Sequence, residues 1–199
     1  MKQVYEHFKK NDPVLYEALQ KVDLTDFLAP KKFDYFTHLC REIIGQQLSG
    51  KVAETIFSRF ISLFPKKIVT PKKTLELADQ KLRDCGMAWS KVRSIKDIAE
   101  KVVSKKINLE TLRDLSDEKV IETLCTLKGV GPWTAEMFLM FTLRRPDVFS
   151  HGDYGLQKAI AKLYGLKNKP ARRTVERMAK KWSPYRSFAC MILWQSLES

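Results

Sequence analysis

Apolar residues recur along this chain at intervals of three and four, the spacing of one face of an α-helix. Before the loop "GQQLSG" the pattern contains Phe36, Leu39, Cys40, Ile43 and Ile44. After the loop it continues through Val52, Ala53, Ile56, Phe57, Phe60, Ile61 and Phe64. We therefore expect an amphipathic helix on each side of the loop. Convincing strand alternation is absent from the sequence, which predicts an all-α protein.

Local signals indicate where several helices begin and end. A capping residue followed by proline is typical of a helix start, and it occurs at Asp12-Pro13, Thr70-Pro71 and Ser183-Pro184. Gly165 is expected to stop a helix at its C-terminus. The remaining pattern predicts helices at about 90–104, 116–126, 132–143, 153–164 and 170–181.

Composition limits the class of protein and the kind of partner. The chain has 199 residues, of which 44% are hydrophobic and 11% aromatic, as expected for one folded domain rather than a disordered chain. Its net charge of +13 favours a polyanionic partner such as nucleic acid. Basic residues are concentrated between Lys162 and Arg186, where Glu176 is the one acid. A solvated, lysine-rich helix face is the alternative interpretation of that segment.

Several classes of protein are disfavoured by the sequence. The start "MKQVYEHFKK" lacks the apolar core of a signal peptide, and the run around "MFLMFTL" is too short to span a bilayer. We expect an intracellular protein, located in the cytoplasm or nucleoid of a prokaryote or in the nucleus of a eukaryote. The cysteines are scattered without metal-ligand spacing, and we interpret all of them as reduced core thiols: Cys40, Cys85, Cys125 and Cys190.

The segment from Leu127 to Ile160 contains the most informative pattern. Gly129 and Gly131 permit positive φ, and Pro132 can begin a helix, so residues of about 116–143 should form a helical hairpin. Backbone N–H groups near its turn could hold a phosphate, although a tight packing corner would look the same. The next helix is apolar on nearly all sides and should be buried. Asp153 should then cap a further helix, which would keep its carboxylate ionised and fixed.

Together, "LKGVGPWTAEM" and "HGDYGLQKAI" resemble the helix-hairpin-helix (HhH-GPD) superfamily of DNA glycosylases that includes endonuclease III. Three other stretches agree with it: "HLCREIIGQQLSGKVAETI", "LRDCGMAWSKVRSIKDIA" and "WSPYRSFACMILW". The chain is most similar to the 3-methyladenine DNA glycosylase II branch over residues of about 32–198. The resemblance implies two helical lobes, about 32–144 and about 1–31 plus 145–199. It also implies a substrate cleft between them, with Asp153 and the hairpin on opposite sides of its mouth.

The resemblance implies a role for Asp153 as the catalytic carboxylate. It would stabilise the positive charge that develops on the deoxyribose and align the attacking water. A second acid is unnecessary when the departing base is already cationic, as in 3-methyladenine and 7-methylguanine. Members that also cut the backbone have a lysine at the position of Trp133, and tryptophan cannot form a Schiff base. Lys128 does not match that lysine, so a monofunctional enzyme in base excision repair is expected.

Other residues acquire expected roles through the same resemblance. Trp133 and Tyr185 match aromatic walls of a pocket for an extruded base, and Trp89 lies in a loop that could approach it. Met137 stands where some relatives have a pocket tyrosine, so the pocket should be more open or more apolar. The "GQQLS" loop matches the wedge that fills the space left by the base, with Gln47 preferred over Gln46 and Leu48. Gln46 and Gln47 could instead cap the adjoining helix ends, and Trp133 could be a core residue. Tyr185 and Trp89 could equally be structural.

The hairpin and the substrate complete the set of expectations. The hairpin residues expected to bind DNA phosphate are Lys128, Gly129, Val130, Gly131 and Thr134. The superfamily also holds a monovalent cation on hairpin carbonyls, here in the region of Leu127 and Val130, whereas no redox or organic cofactor is implied. The partner is double-stranded DNA with damaged bases, bound by a monomer and without a membrane.

One departure from the family pattern leaves the base preference open. The chain reads "SHGD" where the family often has a proline and an acid before the aspartate, and His151 could alter the electrostatics of the pocket or contact the substrate. A glycosylase of the same fold for uracil, hypoxanthine or 8-oxoguanine is the enzymatic alternative. A non-catalytic protein that binds damaged DNA is the other.

Overall fold

The structure, a computed structural model, describes residues 1–28 and 34–197. Those residues form helices without a strand, which confirms the all-α prediction. The lobe boundary predicted near residue 32 and the end of the resemblance near residue 198 lie outside the described residues. The helices are α1 (Lys2–Asn11), α2 (Pro13–Leu19), α3 (Thr25–Leu28), α4 (Tyr35–Gly45), α5 (Gly50–Ser62), α6 (Pro71–Glu76), α7 (Asp79–Asp84), α8 (Trp89–Val103), α9 (Asp117–Leu124), α10 (Pro132–Met137), α11 (Tyr154–Leu163), α12 (Arg172–Trp182) and α13 (Arg186–Gln195).

The helices pack into two compact units. The first contains α1 to α3 and α11 to α13, and the second contains α4 to α10. The core of the first unit includes the fully buried side chains of Phe8, Leu15, Leu19 and Trp182. In the second unit α4 packs against α5 and α8. The core of this unit includes Ile43, Ile44, Phe57, Phe60 and Phe138. Each unit therefore buries its own set of apolar helix faces.

Three of the predicted helix boundaries are confirmed by their hydrogen bonds. The side chain of Asp12 accepts from Leu15 N–H at 3.2 Å, and Thr70 Oγ1 accepts from Lys73 N–H at 3.3 Å. Gly165 follows α11 with φ +62, and Leu166 N–H bonds back to Ala161 O at 2.9 Å. These boundaries were predictable because caps are formed by residues close together in sequence.

The predicted helix start at Ser183-Pro184 is wrong. Ser183 ends α12, and α13 begins only at Arg186. The first turn of α13 is held instead by Asp147, whose carboxylate accepts from Arg186 N–H at 3.2 Å and from Ser183 Oγ at 2.7 Å. The carboxylate that organises this start lies far away in sequence, so the local Ser-Pro signal was misleading.

The single α-helix predicted at about 132–143 is also incorrect in its second half. Regular α-helix ends at Met137, and Phe138–Thr142 form a π-helical turn in which Leu143 N–H donates to Phe138 O at 3.0 Å. Most of this segment is buried, as its apolar composition predicted. A π-helical turn contains one more residue than an α-helical turn. It therefore changes which side chains of the segment lie on the same face.

Two expectations from composition have different outcomes. Among the described residues, the structure contains no helix with the length and apolar character needed to cross a membrane. Cys40, Cys85 and Cys190 are buried, as predicted, but Cys125 is exposed at the end of α9. The expectation that all the cysteines are core thiols is therefore wrong for Cys125, whose position after the last helical turn faces solvent.

Candidate active site and wedge loop

Asp153 lies at the N-terminus of α11, where the sequence placed it. Its Oδ1 accepts hydrogen bonds from Leu156 N–H at 2.7 Å and from Trp194 Nε1–H at 3.1 Å. The residue is 9% exposed, so the carboxylate is nearly buried. The helix N-terminus and both donors stabilise a negative charge at this position. Capping and a fixed carboxylate thus occur together.

Two side chains lie close to the backbone of Gly155, which explains the second glycine in "HGDYG". A Cβ on Gly155 would lie 3.0 Å from Asp153 Oδ1 and 3.3 Å from Trp194 Nε1. Either the carboxylate or the indole would have to move to admit a side chain there. Gly155 therefore keeps the hydrogen bond between Trp194 and Asp153 unobstructed.

His151 precedes Asp153 in a turn that is fixed by a side chain of α11. Gln157 Nε2 donates to His151 O at 2.9 Å, which ties the turn to the helix that Asp153 begins. Burial lowers the pKa of the His151 imidazole. It is therefore neutral near pH 7 and adds no positive charge beside Asp153.

The hairpin turn packs directly on α8. Gly129 has φ +78, and a Cβ there would overlap the side chain of Ser94. Gly129 is thus required for its conformation and for the close approach. Gly131 differs from the expectation, because its φ of −105 is open to any residue and no atom lies within 4 Å of a Cβ at this position. Only one of the two glycines serves the turn as predicted.

Hydrogen bonds within the second unit already use several groups expected to contact phosphate. Val130 N–H donates to Leu127 O at 3.2 Å, and Lys128 N–H donates to the Asp97 carboxylate at 3.0 Å. Each backbone N–H has one hydrogen to donate, so the Val130 amide is already used within the turn and the Lys128 amide is already used by a side chain of α8. Thr134 is buried. Phosphate binding by the hairpin remains a prediction, and it would depend on the other groups of the turn.

A cavity of about 460 Å³ in the second unit brings several predicted residues together. It is lined by Gln46, Gln47, Ser90, Lys91, Ser94, Gly129 and Trp133. Trp133 is 38% exposed and belongs to the wall of this cavity, so it is not the fully buried core tryptophan of the alternative interpretation. The wedge loop, residues 46–49 between α4 and α5, forms another part of the wall. The loop and the aromatic wall thus share one cavity.

The three wedge candidates have different surroundings. Gln47 has φ 56 and is exposed, and Leu48 is 37% exposed. Gln46 instead directs its side-chain amide to Gly129 O and to Thr134 Oγ1, each at 2.9 Å. Gln47 and Leu48 are therefore exposed on the loop, whereas Gln46 is hydrogen-bonded to the hairpin.

The remaining pocket candidates do not line the cavity beside Trp133. Met137 is buried, and Trp89 is 44% exposed at the start of α8 with the Arg83 guanidinium 6.0 Å from its ring centroid. Tyr185 belongs to the first unit, where its ring makes an edge contact with His7 at 5.3 Å. Their roles in a base pocket stay predictions.

The expected cation region can be tested against the hairpin carbonyls. Leu127 O accepts one hydrogen bond, from Val130 N–H, and so retains a second lone pair. The adjacent Thr126 O already accepts from the Lys101 ammonium at 3.0 Å. Leu127 O therefore fits one ligand of a monovalent cation, which remains a prediction for this chain.

Comparison with known proteins identifies the family of this chain. Residues 40–184 match the model of the HhH-GPD superfamily base excision DNA repair protein. The chain therefore belongs to the HhH-GPD superfamily, and the resemblance seen in the sequence is confirmed.

Two curated relatives are similar in sequence to most of this chain. DNA-3-methyladenine glycosylase 1 of Schizosaccharomyces pombe is 33% identical over 83% of this chain and 74% of its own length. DNA-3-methyladenine glycosylase of Saccharomyces cerevisiae is 32% identical over 96% of this chain and 77% of its own length. The structure of the S. pombe enzyme Mag1 in complex with abasic DNA superposes with a TM-score of 0.87 at 28% identity, covering 99% of this chain and 97% of that one.

Sequence reasoning missed three residues that organise these sites. Trp194 was part of the matching stretch "WSPYRSFACMILW", yet its bond to Asp153 spans 41 positions and leaves no periodic signal. Gly155 lies two positions after the aspartate, where its spacing from Asp153 could have indicated a close approach. Lys91 lies in "LRDCGMAWSKVRSIKDIA" and contacts the wedge loop only through tertiary structure.

Proposed function

We propose that this protein is a monofunctional DNA glycosylase that removes alkylated purines, with 3-methyladenine and 7-methylguanine as its substrates. The observation that carries the proposal is the nearly buried Asp153 carboxylate, held by Leu156 N–H and Trp194 Nε1–H at the start of α11. The relatives named DNA-3-methyladenine glycosylase support the choice of base.

The chemistry of Asp153 suits a cationic leaving group. As the N-glycosidic bond breaks, positive charge develops on the deoxyribose, and a fixed carboxylate stabilises it electrostatically. The same carboxylate can orient the water that attacks the anomeric carbon. An alkylated purine leaves as a neutral base because it is cationic while attached, so no separate general acid has to protonate it. The product is an abasic site in an intact strand.

The absence of backbone cleavage is the finer part of the proposal. Trp133 stands at the hairpin position where bifunctional members of the superfamily have lysine, and its indole is not a nucleophile. Lys91 lines the same cavity, and burial lowers its pKa. Its contacts with the carbonyls of Ile44 and Gln46 nevertheless favour the ammonium form, which cannot attack the sugar.

The proposed reaction predicts a defined product set from dimethylsulfate-treated duplex DNA. We expect release of free 3-methyladenine and 7-methylguanine and strands that break only after alkali treatment. Borohydride should trap no covalent complex between protein and DNA. Release restricted to uracil, hypoxanthine or 8-oxoguanine substrates would favour the other enzymatic alternative, and binding without release of any base would favour the non-catalytic one.

Trp194 is proposed as a positioning residue for Asp153, and its effect should appear in the chemical step. Trp194→Phe keeps an aromatic ring and removes the Nε1–H donor. We expect the single-turnover excision rate to fall about tenfold, the effect of losing one hydrogen bond to a charged group. Affinity for abasic-site DNA and the melting temperature should change little. An unchanged rate would show that the Asp153 carboxylate is positioned without the Trp194 donor.

A further inference from the structure

The end of α4 and the loop that follows it are held by a lysine from another helix. Lys91 of α8 donates to Ile44 O at 2.9 Å and to Gln46 O at 2.8 Å. The last carbonyls of a helix have no intrahelical partners, and a cation placed there also interacts favourably with the helix dipole. Lys91 thus fixes the backbone immediately before Gln47.

The side chain of Gln46 also holds this loop, through hydrogen bonds to the hairpin. A glutamine amide has two hydrogens to donate, and here they go to Gly129 O and Thr134 Oγ1. The hairpin that supplies these acceptors also packs on α8, because Gly129 approaches Ser94, three residues after Lys91. Loop, hairpin and α8 are therefore linked in a closed set of contacts around the cavity.

We propose that Lys91 and Gln46 form a brace that holds the wedge loop rigid, so that Gln47 can enter the duplex when a base is extruded. This inference rests on the proposed function, and it assigns Gln46 to support of the loop instead of insertion. Extruding a base from the duplex costs free energy, and the cost is lowest when the base is already unpaired. On a flexible loop the inserted side chain would be displaced when the bases restack, whereas on a rigid loop it keeps its position.

The brace should matter only when the duplex resists. With Lys91→Met, we expect the single-turnover excision rate of 7-methylguanine opposite cytosine to fall about tenfold. Opposite an abasic-site analogue the modified base is already unpaired, and the rate should stay within about twofold of wild type. Lys91→Arg, which keeps a cation able to donate to two carbonyls, should recover most of the activity on the paired substrate.

Lys96 provides a matched control on the same helix. Its ammonium donates to Leu75 O and Leu77 O, so Lys96→Met also removes a lysine that binds carbonyls in the second unit, but away from the wedge loop. We expect Lys96→Met to affect the two substrates equally. Equal losses on both substrates with Lys91→Met, no loss on the paired one, or the same selective loss with Lys96→Met would each overturn the brace.

Base displacement can be followed without excision, which separates this inference from the proposed function. A 2-aminopurine opposite a cytosine should fluoresce more when wild-type protein binds and unstacks it, and less so with Lys91→Met. If wild type releases no alkylpurine but this difference persists, the proposed substrate is wrong and the brace stands. If wild type and Lys91→Met give the same fluorescence, the brace is wrong whatever the substrate.

Discussion

Asp153→Asn is expected to reduce the single-turnover excision of 7-methylguanine by about 100-fold or more, the scale of losing one preorganised electrostatic group. The substitution removes the negative charge, but an amide oxygen can still accept from Leu156 N–H and Trp194 Nε1–H. The helix start and the fold should therefore persist. Affinity for abasic-site DNA, measured by fluorescence anisotropy, should remain close to that of wild type.

Asp34→Asn is the appropriate control for this experiment. Asp34 caps α4 and accepts from Thr37 N–H at 2.8 Å, so it loses the same charge at another helix N-terminus. Its excision rate should equal that of wild type. If Asp153→Asn retained full activity, the carboxylate would be a cap and nothing more, and the catalytic assignment would fail.

Asp12→Ala is expected to have the largest effect on stability, lowering the free energy of unfolding by about 3 to 5 kcal/mol. Asp12 caps α2 and also accepts from Tyr164 Oη and Trp182 Nε1, each at 2.7 Å. Burial and the nearby Asp12 carboxylate raise the pKa of Tyr164, which keeps the phenol protonated as a donor. Truncation to alanine would remove the carboxylate acceptor of both donors, one of which is the fully buried indole of Trp182.

Urea denaturation measures this effect, with Asp34→Ala as the control. Asp34→Ala removes a cap that accepts one backbone hydrogen bond, and it should lower the free energy of unfolding by about 1 kcal/mol. If Asp12→Ala cost no more than Asp34→Ala, the bonds to Tyr164 and Trp182 would contribute nothing beyond capping. Asp12 and Asp153 each pair a helix cap with a tryptophan donor, and the two sets of variants would separate stability from catalysis.

The accuracy of the fold prediction depended on how local each signal was. Caps at Asp12 and Thr70 and the stop at Gly165 were correct because the bonds that form them lie within five residues. The start at Ser183 was wrong because Asp147, far away in the chain, organises that turn. Apolar composition between residues 132 and 143 predicted burial, but did not distinguish an α-helical turn from a π-helical one.

In the candidate site, too, the sequence revealed local features and missed contacts between distant residues. The sequence placed Asp153 at a helix start, and the resemblance implied the roles of Asp153, Trp133 and Gln47. It did not indicate that Trp194 donates to Asp153, or that Gln46 is held by Gly129 across 83 positions. Hydrogen bonds between such distant residues obey geometry in space and leave no spacing that a pattern could reveal.

By itself, the sequence determined that the protein is helical, where most of its helices lie, and that it belongs to a superfamily of base excision repair proteins, because periodicity, caps and motifs are properties of neighbouring residues. Only the tertiary structure decided what holds Asp153, which of the wedge candidates is hydrogen-bonded to the hairpin and which are exposed, and how Lys91 joins α4 to α8. Those features depend on packing that brings separate helices within hydrogen-bonding distance.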